Sequence, residues 1–457
     1  MRKHRWSGLL LAGLLMAVAG LGAEEPKLPR VEFTDQKLDN GLRVIIAVDR
    51  TAPVFGISVT YNVGSRNERP GRTGFAHLFE HMMFQGSENV GKGEHFILVF
   101  NNGGNMNGTT NEDRTNYFES LPKNQLDLAL FLEGDRMRSL AVNQSNLDNQ
   151  RNAVQEERRL GEDNQPYGHA YLEIDNLAYD NFAYKHSVIG DMADLNAATL
   201  DDVKAFFHTY YAPNNAALVL VGDLDPREAL EKVKKYFGAI PSQPNPPAVE
   251  MEEPPHYGER HETIMDPLAR TPLVLMAYHI PAGNTADNYA MRVLANVLAQ
   301  GQSSRLYQHL VKDKQLATQV FAQADARRGP SLLYLYAFLR PGVNPEDCAK
   351  AIRDEISTVQ KDGITSQEIE KARIQFLRQT IEGRQTDLGT AIAIGQYAVF
   401  FDDPNLINTI VDKLNAVTAD QVKDAAQKYL VPAQLAVVTD LPAAGQAKAP
   451  HAQKGGK

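Results

Sequence analysis

Two histidines and one glutamate stand close together in a short apolar segment. The segment Thr73–Gly86 reads TGFAHLFEHMMFQG, so His77 and His81 are four residues apart and Glu80 directly precedes the second histidine. The apolar spacing predicts a helix, on which positions i and i+4 project from one face. Both imidazoles could then bind one metal ion, while Glu80 accepts a proton from an attacking water. This is the inverted counterpart of the zincin motif and predicts metal-assisted hydrolysis.

The composition limits the other donor atoms of such a site. Cys348 is the only cysteine, which excludes an internal disulfide framework and a multi-cysteine metal site. In a hydrolytic site zinc takes three protein ligands and leaves a fourth position open, so a third ligand is needed. The predicted helix Leu147–Leu160 carries Glu156 and Glu157, and helical phase alone lets either carboxylate serve. A charged, solvated helix face is the alternative.

The elements that must position these residues alternate between strand and helix patterns. Short β-branched runs are typical of strands, and longer runs with a 3.6-residue period are typical of helices. The mixture predicts an α+β fold in which antiparallel-rich sheets carry helices packed on one side. Strands are predicted at Leu42–Val48, Val54–Val63 and Thr271–His279, and further helices at Gln125–Leu140, Thr199–Tyr211 and Asp287–Gln300.

A helix–proline–strand pattern occurs twice. Thr199–Tyr211 (TLDDVKAFFHTYY) and Thr418–Leu430 (TADQVKDAAQKYL) each precede a proline and then an apolar run, at Ala217–Leu224 and Leu435–Leu441. Each begins with threonine, a favoured residue at a helix N-terminus. The repetition predicts two homologous halves.

A proline-rich stretch separates these halves. Ile240–Gly258 contains six prolines, which favour an extended, semi-rigid linker. We therefore expect a metal-binding half at 24–239, a linker at 240–258 and a non-catalytic half at 259–442. The Ala-, Gly- and Lys-rich remainder, 443–457, predicts a disordered tail.

The first 23 residues are typical of a signal peptide. A basic start is followed by an apolar run from Leu9 to Ala19, and Leu21-Gly22-Ala23 offers a cleavage site. The run is short for a membrane span, so we expect an exported, periplasmic protein without a stable span after cleavage; an uncleaved anchor or an extracellular location is the alternative. The net charge of −9 gives no support to a nucleic-acid partner.

Over nearly the whole mature length the chain resembles the pitrilysin/insulinase family of zinc peptidases, in particular its small-subunit branch, which includes the processing peptidases. The resemblance implies one Zn²⁺ per chain, with Glu157, 76 residues after His81, as the third ligand beside His77. One departure is Gln150, where the family usually has a glutamate that supports the site from behind the ligands.

The resemblance also extends to a predicted substrate strand. Asn107-Gly108-Thr109-Thr110 and Thr115-Asn116-Tyr117-Phe118 are similar to the family's substrate-binding edge strand, which implies peptide binding at Asn107, Thr109 and Thr110. A peptide adding to such a strand would pair through its main chain. An ordinary turn followed by a strand is the alternative. His186 matches a family loop and is expected to be structural.

The second half lacks the metal chemistry. Alignment of the two halves puts Arg292, Ala295 and Asn296 opposite His77, Glu80 and His81. A second difference lies further along the chain, in Leu310–Thr318. In this segment, family members with complete C-terminal halves have an Arg and a Tyr that stabilise bound peptide, and the matching residues of this chain are Val311 and Thr318. The resemblance therefore implies a hetero-oligomer with a homologous subunit that carries the Arg/Tyr pair; a homodimer is the alternative.

Together these patterns predict a zinc-dependent endopeptidase that hydrolyses oligopeptides or unfolded segments. The alternatives are a non-catalytic scaffold or chaperone subunit of a peptidase complex, and a zinc-storage module. A storage module would not need the carboxylate of Glu80.

Overall fold

Two β-sheets organise the protein, whose computed structural model describes residues 28–443. The predicted signal peptide and residues 444–457 of the predicted tail lie outside the described residues. The strands are β1 (Phe33–Lys37), β2 (Arg43–Val48), β3 (Val54–Tyr61), β4 (Asn105–Thr110), β5 (Thr115–Pro122), β6 (Ala216–Gly222), β7 (Arg260–Asp266), β8 (Leu273–Ile280), β9 (Ala317–Ala324), β10 (Ser331–Leu339) and β11 (Leu435–Pro442).

The helices fill most of the intervening chain. They are α1 (Phe75–Met82), α2 (Glu94–Asn101), α3 (Leu126–Ser139), α4 (Gln144–Arg158), α5 (Gly168–Ala178), α6 (Phe182–Lys185), α7 (Met192–Ala197), α8 (Leu200–Tyr210), α9 (Pro226–Phe237), α10 (Ala286–Ala299), α11 (Pro345–Asp362), α12 (Ser366–Gly383), α13 (Asp387–Phe401), α14 (Leu406–Asn415) and α15 (Ala419–Tyr429). No helix within residues 28–443 is long and apolar enough to cross a membrane.

The two sheets share one connectivity apart from β1, which has no counterpart among the described strands of the second sheet, and this confirms the predicted duplication of the fold. The first sheet has the order β1-β2-β6-β3-β5-β4, and the second has the order β7-β11-β8-β10-β9. In each sheet the last strand of the half returns parallel to one neighbour and antiparallel to the other. All other pairings are antiparallel, as the sequence predicts. Strand β9 therefore corresponds to β4, and α10 corresponds to α1.

Each half packs its own helices on one face of its sheet, and the other half covers the opposite face. Along β6, Leu218 and Leu220 point into the core of the first half, whereas Val219 and Val221 contact α13 from the second half. The second sheet is covered in the same way by α5 from the first half. Strands that bury both faces read as continuous apolar runs, as β6 does, so the sequence indicates two-sided burial but not which helix supplies the cover.

The exchanged helix α13 approaches the first sheet very closely. A Cβ atom at Gly56 of β3 would lie 2.5 Å from the Cα atom of Leu388, and one at Gly395 of α13 would lie 2.6 Å from the hydroxyl of Thr60. Glycine is therefore needed on both sides of this contact. Between α9 and β7 the chain has neither helix nor strand, and this segment includes the proline-rich residues 240–258.

Candidate metal centre

Helix α1 begins at a backbone position that favours glycine. Gly74 has φ +81°, in the left-handed region, and a Cβ there would lie 2.7 Å from a backbone oxygen. Glycine has no capping side chain, so the buried carboxylate of Glu68 accepts the N–H groups of Gly74 and Ala76, both at 2.8 Å. His186 in turn contacts Glu68 at 2.9 Å. His186 is thus structural, as predicted, and it fixes the start of the helix that carries both histidines.

The three predicted metal ligands converge. Nε2 of His77 lies 3.7 Å and Nε2 of His81 lies 3.2 Å from the two carboxylate oxygens of Glu157, which α4 presents near its C-terminal end. One ligand atom from each residue falls within 4.8 Å of the others. A tetrahedral ion with ligand bonds of about 2.0–2.1 Å separates its ligand atoms by roughly 3.3 Å, so the spacing fits one zinc ion.

The charges of the three side chains also suit a cation. Burial, with a smaller contribution from His81, lowers the pKa of His77 to about 4, so this imidazole is neutral and its lone pair is free. The hydrogen bond from His81 lowers the pKa of Glu157, which keeps the carboxylate ionised. Burial works against protonation of His81, but its hydrogen bond to Glu157 and the nearby charges raise its pKa overall. The ionised carboxylate of Glu157 and the two imidazoles therefore face one another at the position where a cation would bind.

Glu80 points towards the opposite wall of the site. The Thr110 hydroxyl donates a 2.6 Å hydrogen bond to Oε2 of Glu80. Burial raises the pKa of Glu80, and this hydrogen bond opposes the rise only in part. Gly108 faces the same carboxylate: a Cβ at this position would lie 3.0 Å from Cγ of Glu80 and 3.2 Å from the ring of Tyr117. The missing side chain of Gly108 therefore makes the space that Glu80 occupies.

The predicted substrate strand is only partly at an edge. Strand β4 pairs with β5 alone and ends the first sheet, whereas β5 lies between β4 and β3. The second predicted segment, Thr115–Phe118, is therefore an interior strand, contrary to its assignment to the edge.

The side chains predicted to bind substrate already have partners in the protein. The Thr109 hydroxyl donates to Asn116 at 2.6 Å, the Asn107 amide oxygen accepts the N–H of Gly108, and Thr110 is bonded to Glu80. What β4 offers at its outer side is its main chain. The positioning role of Thr110 and the space at Gly108 were missed by sequence reasoning, because neither is visible before α1 is placed against β4.

Two further residues of α4, Gln150 and Glu156, were considered in the sequence analysis of the metal site. Gln150 is buried, donates a 2.7 Å hydrogen bond to Asn149, and contributes to the raised pKa of His81. Gln150 therefore lies beside His81, one of the proposed ligands, as a neutral amide. Glu156, which helical phase left open, is exposed and pairs with Arg159 at 3.1 Å.

A cleft of about 440 Å³ opens beside these groups. Its walls include His77, Glu80 and Glu157 from the metal site, together with Gly108 and Thr110 of β4. Tyr171, Leu172 and Asp175 of α5 form another part of the wall. The cleft is of a size that holds several peptide atoms next to the carboxylate of Glu80.

Two other clusters of potential ligands among the described residues fit a metal less well. They are His95–Glu119–Glu133 and Glu253–His256–His279. In the first cluster, Glu133 is bonded to the buried cation Arg136, so the cluster already contains a positive charge. In the second cluster, both carboxylate oxygens of Glu253 already accept backbone N–H groups.

Comparison with known proteins identifies the family of the chain. The model "Insulinase (Peptidase family M16)" matches residues 43–191, and the model "Peptidase M16 inactive domain" matches residues 197–376. The first of these contains His77, Glu80, His81 and Glu157. The chain belongs to the M16, or insulinase, family of peptidases.

Individual relatives span almost the whole chain. It is 31% identical to the zinc protease PqqE of Helicobacter pylori over 92% of this chain and 95% of that protein. It is 22% identical to the mitochondrial-processing peptidase subunit beta of Lentinula edodes, over 87% and 88% of the two chains. The crystal structure of a protease from Helicobacter pylori superimposes with a TM-score of 0.87 at 30% identity, covering 91% of this chain and all of that one.

Proposed function

We propose that this protein is a zinc-dependent endopeptidase that hydrolyses oligopeptides or unfolded segments, with one zinc ion held by His77, His81 and Glu157. The observation that carries the proposal is the convergence of two imidazoles and a carboxylate beside a separate carboxylate, Glu80, in a cleft bordered by an edge strand. Relatives named as zinc proteases support it. When bound, zinc would supply Lewis acidity that polarises a carbonyl group and makes water nucleophilic at neutral pH.

Glu80 is the group that moves protons. Its carboxylate takes a proton from the attacking water and returns it to the leaving amine, which is general base and then general acid catalysis. Burial raises its pKa towards the range in which a carboxylate both accepts and gives back a proton. The Thr110 hydroxyl holds one oxygen of Glu80, which leaves the other to face the cleft.

Strand β4 would bind the substrate. Its outer edge has main-chain groups to which an extended peptide can add as a further strand, in the β-augmentation mode. This mode requires an extended backbone and reads side chains weakly. We therefore expect cleavage of flexible peptides and no digestion of stably folded, disulfide-linked domains.

The direct test replaces Glu80 by glutamine. Glu80→Gln should bind zinc and fold as the wild type does, yet lose about 10²- to 10⁴-fold in peptide hydrolysis because an amide cannot accept the proton. Glu156→Gln is the matched control, since this exposed neighbour of a ligand points away from the site. Activity of Glu80→Gln within a few-fold of the wild type would refute the mechanism, and a wild-type chain that cleaves no peptide with zinc bound would favour a non-catalytic scaffold.

We further propose that the active form includes a homologous subunit. Val311 is buried, and the Thr318 hydroxyl already donates to the carbonyl of Phe338 at 3.1 Å, so neither can supply a charged hydrogen bond to a peptide. The name of the fungal relative describes that protein as one subunit of a peptidase. A partner with the Arg/Tyr pair should raise the activity when titrated into the isolated chain. Full activity of the chain alone, with no binding of the partner, would contradict this proposal and favour a homodimer or monomer.

The protein is also proposed to act after export to the periplasm. The basic and apolar pattern of residues 1–23 supports this location. Fractionation of cells that express the full chain would test it, with removal of the first 23 residues as the control.

A further inference from the structure

A second cavity lies in the other half, at the position that corresponds to the metal cleft. Its volume is about 280 Å³, and it is lined by α10 and by Ala322, Gln323 and Ala324 of β9. Because α10 corresponds to α1 and β9 to β4, the duplicated fold keeps a hollow where the first half has its metal site. In this hollow Arg292 takes the place of His77.

Arg292 is a cation without a counterion. No hydrogen bond or ion pair joins its guanidinium to any residue in the part of the chain that the structure describes. Its contacts are aromatic: its Cζ atom lies 5.8 Å from the ring centre of Phe376 and 6.0 Å from that of Tyr289. Desolvation lowers the pKa of Arg292, but arginine stays protonated. Arg292 is half-buried, and its guanidinium nitrogens are open to the cavity. Because no described residue neutralises this charge, an anion that enters the cavity can pair with it.

The rest of the lining suits an anion. Arg292 is the only charged residue among those that line this cavity. Its polar neighbours are amides, which can donate hydrogen bonds and bring no negative charge to repel a bound anion. They are Asn296, Gln300, Gln323 and Gln379. A planar guanidinium flanked by amide donors matches the two oxygens of a carboxylate.

A third cavity borders both this cavity and the metal cleft. Its volume is about 390 Å³, and it shares Arg292, Gln323 and Ala324 with the cavity at Arg292 and shares Glu112 with the metal cleft. The two other carboxylates of this third cavity are neutralised locally: Asp113 pairs with a buried arginine at 3.0 Å, and Asp325 pairs with Arg327 at 2.7 Å. Neither therefore serves as the counterion of Arg292.

We propose that Arg292 binds a carboxylate group of the peptide, so that the relic of the duplicated active site anchors one part of a substrate whose other part lies at the metal. The inference rests on the proposed peptidase function and adds a preference for substrates that carry a carboxylate at a distance from the cleaved bond. The carboxylate is either the C-terminal group of the peptide or an acidic side chain.

The test measures peptide binding rather than cleavage. An N-acetylated, flexible peptide containing one glutamate is offered to zinc-loaded Glu80→Gln protein as a free acid, as the C-terminal amide, and as the free acid with that glutamate replaced by glutamine. One of the two altered peptides should bind about tenfold or more weakly than the parent, and it identifies the source of the carboxylate. Adding Arg292→Gln should remove this difference. Arg292→Lys should restore part of it, and Arg378→Gln, an exposed arginine of α12, should leave it unchanged.

Three results would overturn the inference. If the three peptides bind equally well, no carboxylate is recognised. If Arg292→Gln and Arg292→Lys weaken all three peptides by the same factor, the guanidinium has only a structural role in the second half. If no peptide binds and the wild-type chain cleaves none, the proposed function falls together with the inference, whereas cleavage without carboxylate preference removes the inference alone.

Discussion

Substitution of Gly108 by alanine tests, with a single added methyl group, the position of Glu80, the carboxylate proposed to transfer protons. The new Cβ would stand 3.0 Å from Cγ of Glu80 and 3.2 Å from the ring of Tyr117. Carbon atoms in good contact are about 3.5–4.0 Å apart, so the added methyl group and Cγ of Glu80 must move apart by roughly 0.5–1 Å. Tyr117 is fully buried and cannot move, whereas Glu80 borders the open cleft. Glu80 should therefore shift and weaken its 2.6 Å hydrogen bond with Thr110.

The expected cost falls on catalysis rather than on folding. A misplacement of about 1 Å can lower the rate about 10²-fold, so Gly108→Ala should lose about 10- to 100-fold in kcat with little change in KM. The zinc content should stay at the wild-type value, because Gly108 contacts no ligand, and Tm should fall by only a few degrees, since the strain is about 1–2 kcal/mol. Gly161→Ala, a site with no atom within 4 Å of the added Cβ, is the matched control. Peptide hydrolysis within twofold of the wild type would refute the placement of Glu80.

Three further predictions concern metal binding, pH and packing. His77→Ala and Glu157→Gln should each lose most bound zinc by metal analysis, and full occupancy in both would remove the site. Burial by itself would raise the pKa of Glu368, but this carboxylate accepts two hydrogen bonds from Arg305, at 2.5 and 2.8 Å. Together with its bonds to Thr365, they lower the pKa of Glu368 to about 2. Its ionised form therefore stabilises the protein above about pH 4.5 and ceases to do so as the pH falls towards 2, so Glu368→Gln should cost about 1–2 kcal/mol in urea unfolding at pH 7 and almost nothing near pH 2. Gly56→Ala should lower the free energy of unfolding by about 1–3 kcal/mol, because its Cβ meets the backbone of α13, and an unchanged Tm would contradict that contact.

The sequence predicted the parts of this protein that depend on local pattern. Helix α1, its two histidines and the duplicated sheets follow from periodicity and repetition, and the structure confirms the elements. Helical phase did not separate Glu156 from Glu157, because that choice depends on the angle at which α4 crosses α1. The boundaries also moved where capping decides them: α4 begins at Gln144, three residues before the predicted Leu147, because the Asn143 side chain accepts the N–H of a residue in its first turn.

Contacts between distant segments could not be predicted in this way. The cap that Glu68 provides for α1, the hydrogen bond from Thr110 to Glu80, and the unpaired state of Arg292 all arise where separate elements meet. A single sequence records residue types at these places but not which of them become neighbours. The exchange of α5 and α13 between the sheets belongs to the same class, since nothing in the sequence of either helix indicates which sheet it covers.

The exchange of these helices makes the metal half dependent on its counterpart for its own shape. Helix α5 packs its apolar side on the second sheet and holds Asp175 to Arg327 and Tyr334 there, at 2.9 and 2.5 Å, while its Tyr171 borders the metal cleft. One wall of the cleft is thus held in place by the second half of the chain. A truncated chain ending at the linker would retain the three proposed ligands and Glu80, yet it would expose the sheet face that α13 covers and leave α5 without its packing partner. The second half thus supports one wall of the candidate metal cleft, so a substitution in the second sheet can change the shape of the cleft without contacting a proposed ligand.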